Sequence, residues 1–264
     1  NSSPHESVND VAETLINQTL LNDEDRKVSP SKKYRIIKQL DFGGQSDIYL
    51  AERSDGVYQK TVIIKFISSL YQHEGSEHQF LQEMQMLADL THPGVVGIID
   101  GGLSTQGQPW LVLEYIQGDH IDQHCLKQQL SEHEIIKLVL DLCEALRFVH
   151  RRDVLHLDIK PSNVLINSIN NIPYPVLIDF GIAQNKSQQQ GEAFATPGYA
   201  APEVSNTDCH PDQRADIYAV GMLLAQLLSR NEVLNIGVLS SKSRNELLKK
   251  HGVKPDLLAI IAQA

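Results

Sequence analysis

Residues 156 to 163 read His156-Leu157-Asp158-Ile159-Lys160-Pro161-Ser162-Asn163, the pattern H-x-D-x-K-x-x-N. One carboxylate, one ammonium and one amide therefore sit on a short loop. Asp179-Phe180-Gly181 follows and adds a second carboxylate at a strand end. Such a set suits phosphoryl transfer from a metal-bound nucleotide. That chemistry needs a carboxylate to orient the attacking hydroxyl, a cation on the moving phosphate and oxygen ligands for Mg²⁺. A lone H-x-D is most often a loop turn. The two motifs together, with apolar strand-like residues between them, carry the reading.

These groups need elements to hold them. From Tyr34 the chain reads as strands: Tyr34 to Leu40, then a hairpin partner Asp47 to Arg53, then Thr61 to Phe66 with Val62, Ile63 and Ile64. His78 to Leu90 has helical apolar spacing at Phe80, Met84, Leu87 and Leu90. Gly94 to Gly101 and Trp110 to Ile116 read as two further strands. Five strands and one helix make a small α+β lobe. Beyond Gly118 helices dominate. Ser131 followed by Glu134 is a capping box, and it opens a helix to His150 with Ile135, Leu138, Leu142, Leu146 and Val149 on one face. Residues 213 to 229 hold another apolar helix, and Leu257 to Ala262 begins a last one.

Composition sets the class. The chain has 264 residues, enough for two lobes, with 41% hydrophobic and 21% charged residues, as in ordinary globular proteins. A formal net charge of −10 argues against general nucleic-acid binding and against attraction to anionic lipid. Cys125, Cys143 and Cys209 form no C-x-x-C pair, so neither a structural zinc nor a disulfide framework is expected, and a reducing cytoplasm is the simplest setting. No apolar run approaches the roughly 20 residues that span a bilayer. Residues 1 to 33 are polar and locally acidic. Val8, Val11, Leu15, Thr19 and Leu21 nonetheless fall near helical spacing. Two readings of this segment stand: a partly disordered leader, or an amphipathic helix that docks on the catalytic domain or on a regulatory partner.

With these residues in view, the chain from residue 34 to residue 264 resembles the protein kinases. The resemblance implies a bilobal protein-kinase-like fold of α+β class. Residues 34 to 116 would be the sheet lobe and residues 117 to 264 a mainly helical lobe, incomplete at its C-terminus. It also implies the cofactors ATP and Mg²⁺ and a protein substrate. Asp158 would orient the substrate hydroxyl and accept its proton, Lys160 would stabilise the transferring phosphate, and Asn163 and Asp179 would bind metal. Lys65, closing Val62-Ile63-Ile64-Lys65, matches V-A-I-K, the lysine that bridges the nucleotide phosphates; Glu83 is its expected partner. Leu40, Gly43, Gly44 and Ile48 lie where the family carries its glycine-rich loop. Leu113-Glu114-Tyr115-Ile116-Gln117-Gly118 resembles the hinge, with main-chain groups of Glu114 and Ile116 toward adenine. Ile63 and Leu165 would flank the ring. Thr196-Pro197-Gly198-Tyr199-Ala200-Ala201-Pro202-Glu203 resembles the substrate loop, and Asp216 the aspartate that anchors the catalytic-loop backbone.

The departures are as informative as the matches. Only Gly43 of the three motif glycines is in place; Asp41 and Ser46 occupy the others. Ile63 replaces the usual alanine and crowds the purine side. Leu157 replaces the arginine that receives an activation-loop phosphate in many members, so that switch is not expected here. Arg230 and Arg244 do not sit in the context of the arginine that normally pairs with Glu203. The phrases Leu90-Thr91-His92-Pro93-Gly94-Val95-Val96 and Gln108-Pro109-Trp110-Leu111-Val112-Leu113-Glu114-Tyr115 resemble the Hanks-type (eukaryotic-like) serine/threonine kinases of bacteria. Three functions stay open on these residues. One is an active serine/threonine protein kinase, one a pseudokinase or slow kinase acting as a nucleotide-binding module, and one a small-molecule kinase. Ala201-Pro202-Glu203 argues against the last.

Overall fold

The computed structural model describes residues 33–42, 46–67, 81, 84–104, 108–180, 196–205, 211–230, 232 and 236–263. The expectations for residues 1 to 32 and for Gly43, Gly44 and Glu83 lie outside the described residues. The chain divides into two compact units, one of residues 1–91 and 97–115, the other of residues 92–96 and 116–264.

The first unit is a five-stranded antiparallel sheet of β1 (Tyr34–Phe42), β2 (Ser46–Arg53), β3 (Thr61–Ile67), β4 (Ile98–Leu103) and β5 (Pro109–Glu114). The spatial order is β1-β2-β3-β5-β4. Alternation along the strands gathers Tyr34, Ile36, Tyr49, Ala51, Val62, Ile64, Phe66, Trp110 and Val112 on one face as a buried cluster. Register confirms the sharing of a face: Ile36 pairs with Ala51, Tyr49 with Ile64, and Phe66 with Trp110. The edge strands β1 and β4 are tied to each other through side chains. Lys33 Nζ reaches Asp100 Oδ2 at 2.5 Å, and the Tyr34 hydroxyl donates to the same oxygen at 3.3 Å. A sheet whose opposite edges meet in this way is curled.

One strand differs from the sequence reading. The apolar pair Val95-Val96 does not open β4. Val95 bridges Leu177 in parallel, Val96 N–H donates to Leu177 O at 2.9 Å, and Leu177 N–H donates to Gly94 O at 2.9 Å. These residues belong to the second unit and pair within it, and β4 starts at Ile98. Their apolar, β-branched character is a strand signal in either place, so composition could not choose the partner.

The second unit holds α1 (Ile121–Lys127), α2 (Glu132–His150), the hairpin β6 (Val164–Ile169) and β7 (Ile172–Leu177), α3 (Gln213–Leu228), α4 (Ser241–Lys250) and α5 (Pro255–Gln263). The capping box at α2 is formed, with the Ser131 hydroxyl accepting from Glu134 N–H and the Glu134 carboxylate accepting from Ser131 N–H. All five apolar positions expected on α2 are buried. α3 is apolar nearly all round and buried along most of its length, which makes it the central support of this unit. No helix among the described residues is long and apolar enough to cross a membrane.

Candidate active site

The loop between α2 and β6 is held from below by one buried carboxylate. Asp216, in the first turn of α3, has no exposed surface. Its Oδ2 accepts from His156 N–H at 2.9 Å and from His150 Nε2 at 2.8 Å, and its Oδ1 accepts from Leu157 N–H at 2.7 Å. Burial pushes this carboxyl up, but the His150 hydrogen bond and the two backbone N–H groups outweigh it and hold the group below the ordinary carboxylate value. Leu157 needs that hold. Its φ of +60° is left-handed, a conformation that costs a side-chain-bearing residue about 1–2 kcal/mol. The His156 ring lies beneath the loop, 4.8 Å from the Phe180 ring, with Nε2 donating to Ile178 O at 3.1 Å and Nδ1 accepting from Asp158 N–H at 3.3 Å.

On this support the polar groups converge. Asp158 Oδ2 lies 2.8 Å from Lys160 Nζ and accepts from Asn163 Nδ2 at 2.8 Å. Asn163 Nδ2 also donates to Asp158 O at 2.7 Å. Thr196 donates its hydroxyl to Asp158 Oδ1 at 2.7 Å and accepts from Lys160 Nζ at 3.0 Å. Both carboxylate oxygens are thus fixed in direction, and Asp158 remains about one-fifth exposed, at 18%. A short 3₁₀ turn, Pro161–Asn163, carries Asn163 round to this cluster. Asn163 O then accepts from Ile178 N–H at 3.0 Å. That bond fastens the end of β7, and hence Asp179 with its φ of +61°, beside Asn163. The structure therefore brings Asp158, Lys160, Asn163 and Thr196 into one hydrogen-bonded set and sets the Asp179 backbone next to it.

The oxygen donors of Asn163 and Asp179 fit a hard cation. Among the described residues no group of three His, Cys, Asp or Glu side chains could hold a metal by itself. Mg²⁺ is commonly bound by one or two protein oxygens together with substrate phosphates, and this pair matches that habit.

In the first unit, Ile48 pairs directly with Lys65 across β2 and β3, and Ile63 sits two residues away on the same face. This face is opposite the buried cluster and is less buried, with all three residues partly exposed. Leu40 is exposed at 46% beside an irregularity in the β1–β2 register. Glu114 ends β5, its N–H donating to Gly97 O at 2.9 Å, while its carboxylate meets Lys60 at 3.2 Å. Ile116 opens the longer segment of the second unit. Leu165 lies on β6, bridged to His120. There the strand passes so close to Gly118 that a Cβ at Gly118 would lie 1.9 Å from Ile166 O. Asp119 carries a salt bridge to Lys127 at 2.6 Å, and this bond lowers its carboxyl below the usual value. Glu203 falls in the 3₁₀ turn Pro202–Ser205. Arg244 is buried at 8% exposure and donates to Met222 Sδ at 3.0 Å.

Two contributors escaped the sequence reading. His150, on the last turn of α2, shares Asp216 with the catalytic loop. Gln226, 2% exposed, takes the hydrogen bond of the Tyr199 hydroxyl and so ties the substrate loop to α3. The signal for Gln226 was present: it is the one polar side chain within the apolar run Ala219 to Leu228.

A curled antiparallel sheet and a helical unit bearing an Asp-Lys-Asn loop over a buried aspartate are the parts of a protein phosphotransferase domain. The chain belongs to the protein kinase family: the family model described as "Protein kinase domain" matches residues 34–254. It is 30% identical over 203 residues to the probable serine/threonine-protein kinase PknB of Lactococcus lactis, covering 75% of this chain and 31% of that protein. It is also 30% identical over 210 residues to the serine/threonine-protein kinase PknB of Mycobacterium tuberculosis, covering 75% of this chain and 33% of that protein. The chain thus spans about a third of the length of these relatives. The crystal structure of the M. tuberculosis PknI kinase domain matches with a TM-score of 0.62 and 26% identity, over 86% of this chain and 88% of that one. The fold is kinase-like, and the relatives are bacterial serine/threonine kinases.

Proposed function

We propose that this chain is an active Mg²⁺- and ATP-dependent kinase that phosphorylates serine or threonine hydroxyls of proteins. The observation that carries this reading is the closed set Asp158–Lys160–Asn163–Thr196. The set presents a carboxylate fixed in direction, still open to solvent, with a cation 2.8 Å away. Asp158 orients the incoming hydroxyl and takes its proton. Lys160 neutralises charge that develops on the transferred group. Thr196 and Asn163 keep the carboxylate from rotating, so little reorganisation is required as charge moves. Asn163 and Asp179 would hold Mg²⁺, which when bound would supply neutralisation of the phosphate oxygens. Lys65 is assigned to the nucleotide phosphates with Glu83 as its partner, and Ile48, Ile63 and Leu165 to the adenine. Gly43 and Gly44 are assigned to the cover over the phosphates, main-chain groups of Glu114 and Ile116 to adenine hydrogen bonds, and Glu203 to the support of the substrate loop.

Regulation follows from Leu157. An apolar side chain at this position cannot receive a phosphate, so activity does not depend on phosphorylation of Ser187, the one serine or threonine between Asp179 and Thr196. Full activity of Ser187→Ala is the expected result, and a dead variant would refute this part. The main reading is tested by incubation with γ-labelled ATP, Mg²⁺ and a generic protein substrate, followed by phosphoamino-acid analysis. Label on serine or threonine supports it. Nucleotide binding with no label on protein would instead make the chain a pseudokinase, the reading toward which Asp41, Ser46 and Ile63 lean.

A further inference from the structure

The turn that carries Thr196 is seated at two points, and one of them has no precedent in the motifs. Thr196 O accepts from both Tyr199 N–H at 3.1 Å and Ala200 N–H at 3.2 Å, so residues 196 to 200 form one tight turn. Gly198 takes a φ of +88° inside it, a conformation open to glycine. The first seat is the bond from the Tyr199 hydroxyl to Gln226 on α3. The second is a backbone contact with the 3₁₀ turn Ile236–Val238. A Cβ at Gly237 would stand 1.7 Å from Gly198 O and 2.6 Å from Gly198 C. The neighbours are main chain, so no side chain can swing aside to relieve the clash.

We propose that Gly237 is a positioning residue for phosphoryl transfer. By lacking a side chain it lets the Ile236–Val238 turn press against the Gly198 carbonyl and so fixes Thr196 against Asp158 and Lys160. The inference rests on the kinase reading above. Any side chain at 237 must push the turn away. Since Cβ atoms do not approach closer than 3.0 Å, the Gly198 carbonyl and the Ile236–Val238 turn have to separate by more than an ångström. The turn is braced by its own hydrogen bonds, so the displacement passes to Thr196, whose hydroxyl holds one oxygen of Asp158. A misplacement of that size in a reacting group costs on the order of 10²-fold in rate.

The test compares native protein, Gly237→Ala, Thr196→Val and the double variant, using label transfer to a protein substrate, the KM for ATP and the melting temperature. The proposal expects Gly237→Ala to lose kcat by about 100-fold with the KM for ATP unchanged. It further expects the same substitution to cost under about threefold once Thr196 is already Val, because the two act through one hydroxyl. A merely structural role gives losses that multiply, and that result overturns the proposal, as does native turnover by Gly237→Ala. If Gly237→Ala fails to bind nucleotide, Tyr199→Phe loosens the other seat with little change of shape. A loss of about tenfold that vanishes in the Thr196→Val background supports the coupling, and additive or absent loss overturns it. Native protein that transfers no label defeats the kinase reading and the inference with it, whereas native transfer with an unaffected Gly237→Ala defeats the inference alone.

Discussion

Asp216→Asn is the most demanding perturbation of the catalytic unit. The side chain keeps its shape but loses its charge and one acceptor. Asp216 now receives three hydrogen bonds, from His156 N–H, Leu157 N–H and His150 Nε2. An asparagine offers one carbonyl oxygen and turns an NH₂ toward donors that cannot accept from it. Hydrogen bonds to a charged group contribute about 1.5–3 kcal/mol each, and a buried donor left unmatched costs about 1–3 kcal/mol. A loss of about 3–5 kcal/mol is therefore expected, which lowers the melting temperature by roughly 10 °C for a chain of this size. The loop is also released at Leu157, whose φ of +60° is no longer supported, and Asp158 follows it. Label transfer should fall by about 100-fold. The native carboxyl is lower folded than unfolded, so its stabilisation is complete above about pH 4 and is lost as pH falls through the folded value. Asp216→Asn should lack that part of the acid transition. Thermal melts from neutral pH down to the acid limit, with transfer assays beside them, measure both. A variant that melts within about 2 °C of the native protein and turns over normally would refute the claim that this carboxylate holds the loop.

Other outcomes are expected. Thr196→Val should lower transfer by about 100-fold without changing the melting temperature, while Thr196→Ser, which keeps the hydroxyl, should retain most activity. In the sheet unit, burial first, and then the charge and hydrogen bond of Asp100, push the Tyr34 hydroxyl up to about 12. The difference in ultraviolet titration between the native protein and Tyr34→Phe should place Tyr34 near that value, and Asp100→Asn should bring it down. The stabilisation that Tyr34 gives through this shift is complete below about pH 10 and is lost as pH rises through the folded value.

Much of this was readable from residue order because the relevant signals are local. The Ser131–Glu134 box and the apolar stripe of α2 are set within a few turns, and both appear where expected. The catalytic loop was legible because its chemistry is packed into eight consecutive positions. Asp216 was recognisable only through its own motif. Its sharing of His150 with the loop joins residues 66 apart and leaves no mark on periodicity. Val95-Val96 shows the same limit from the other side, since an apolar β-branched pair signals a strand without naming its neighbour. The approach of Gly237 to Gly198 was invisible for a different reason: a glycine within Ile236-Gly237-Val238-Leu239 carries no motif, and only the fold shows that its missing Cβ is the space another backbone occupies.

The central claim, that Asp158 performs the transfer, is tested most directly by a single comparison: native chain and Asp158→Asn, each with labelled ATP, Mg²⁺ and a protein acceptor, with nucleotide binding measured in parallel. With Asp158 as the base, nucleotide binding stays unchanged and transfer falls by about 10²–10⁴-fold, the range for removal of a positioned general base. Transfer by Asp158→Asn at the native rate would contradict the claim.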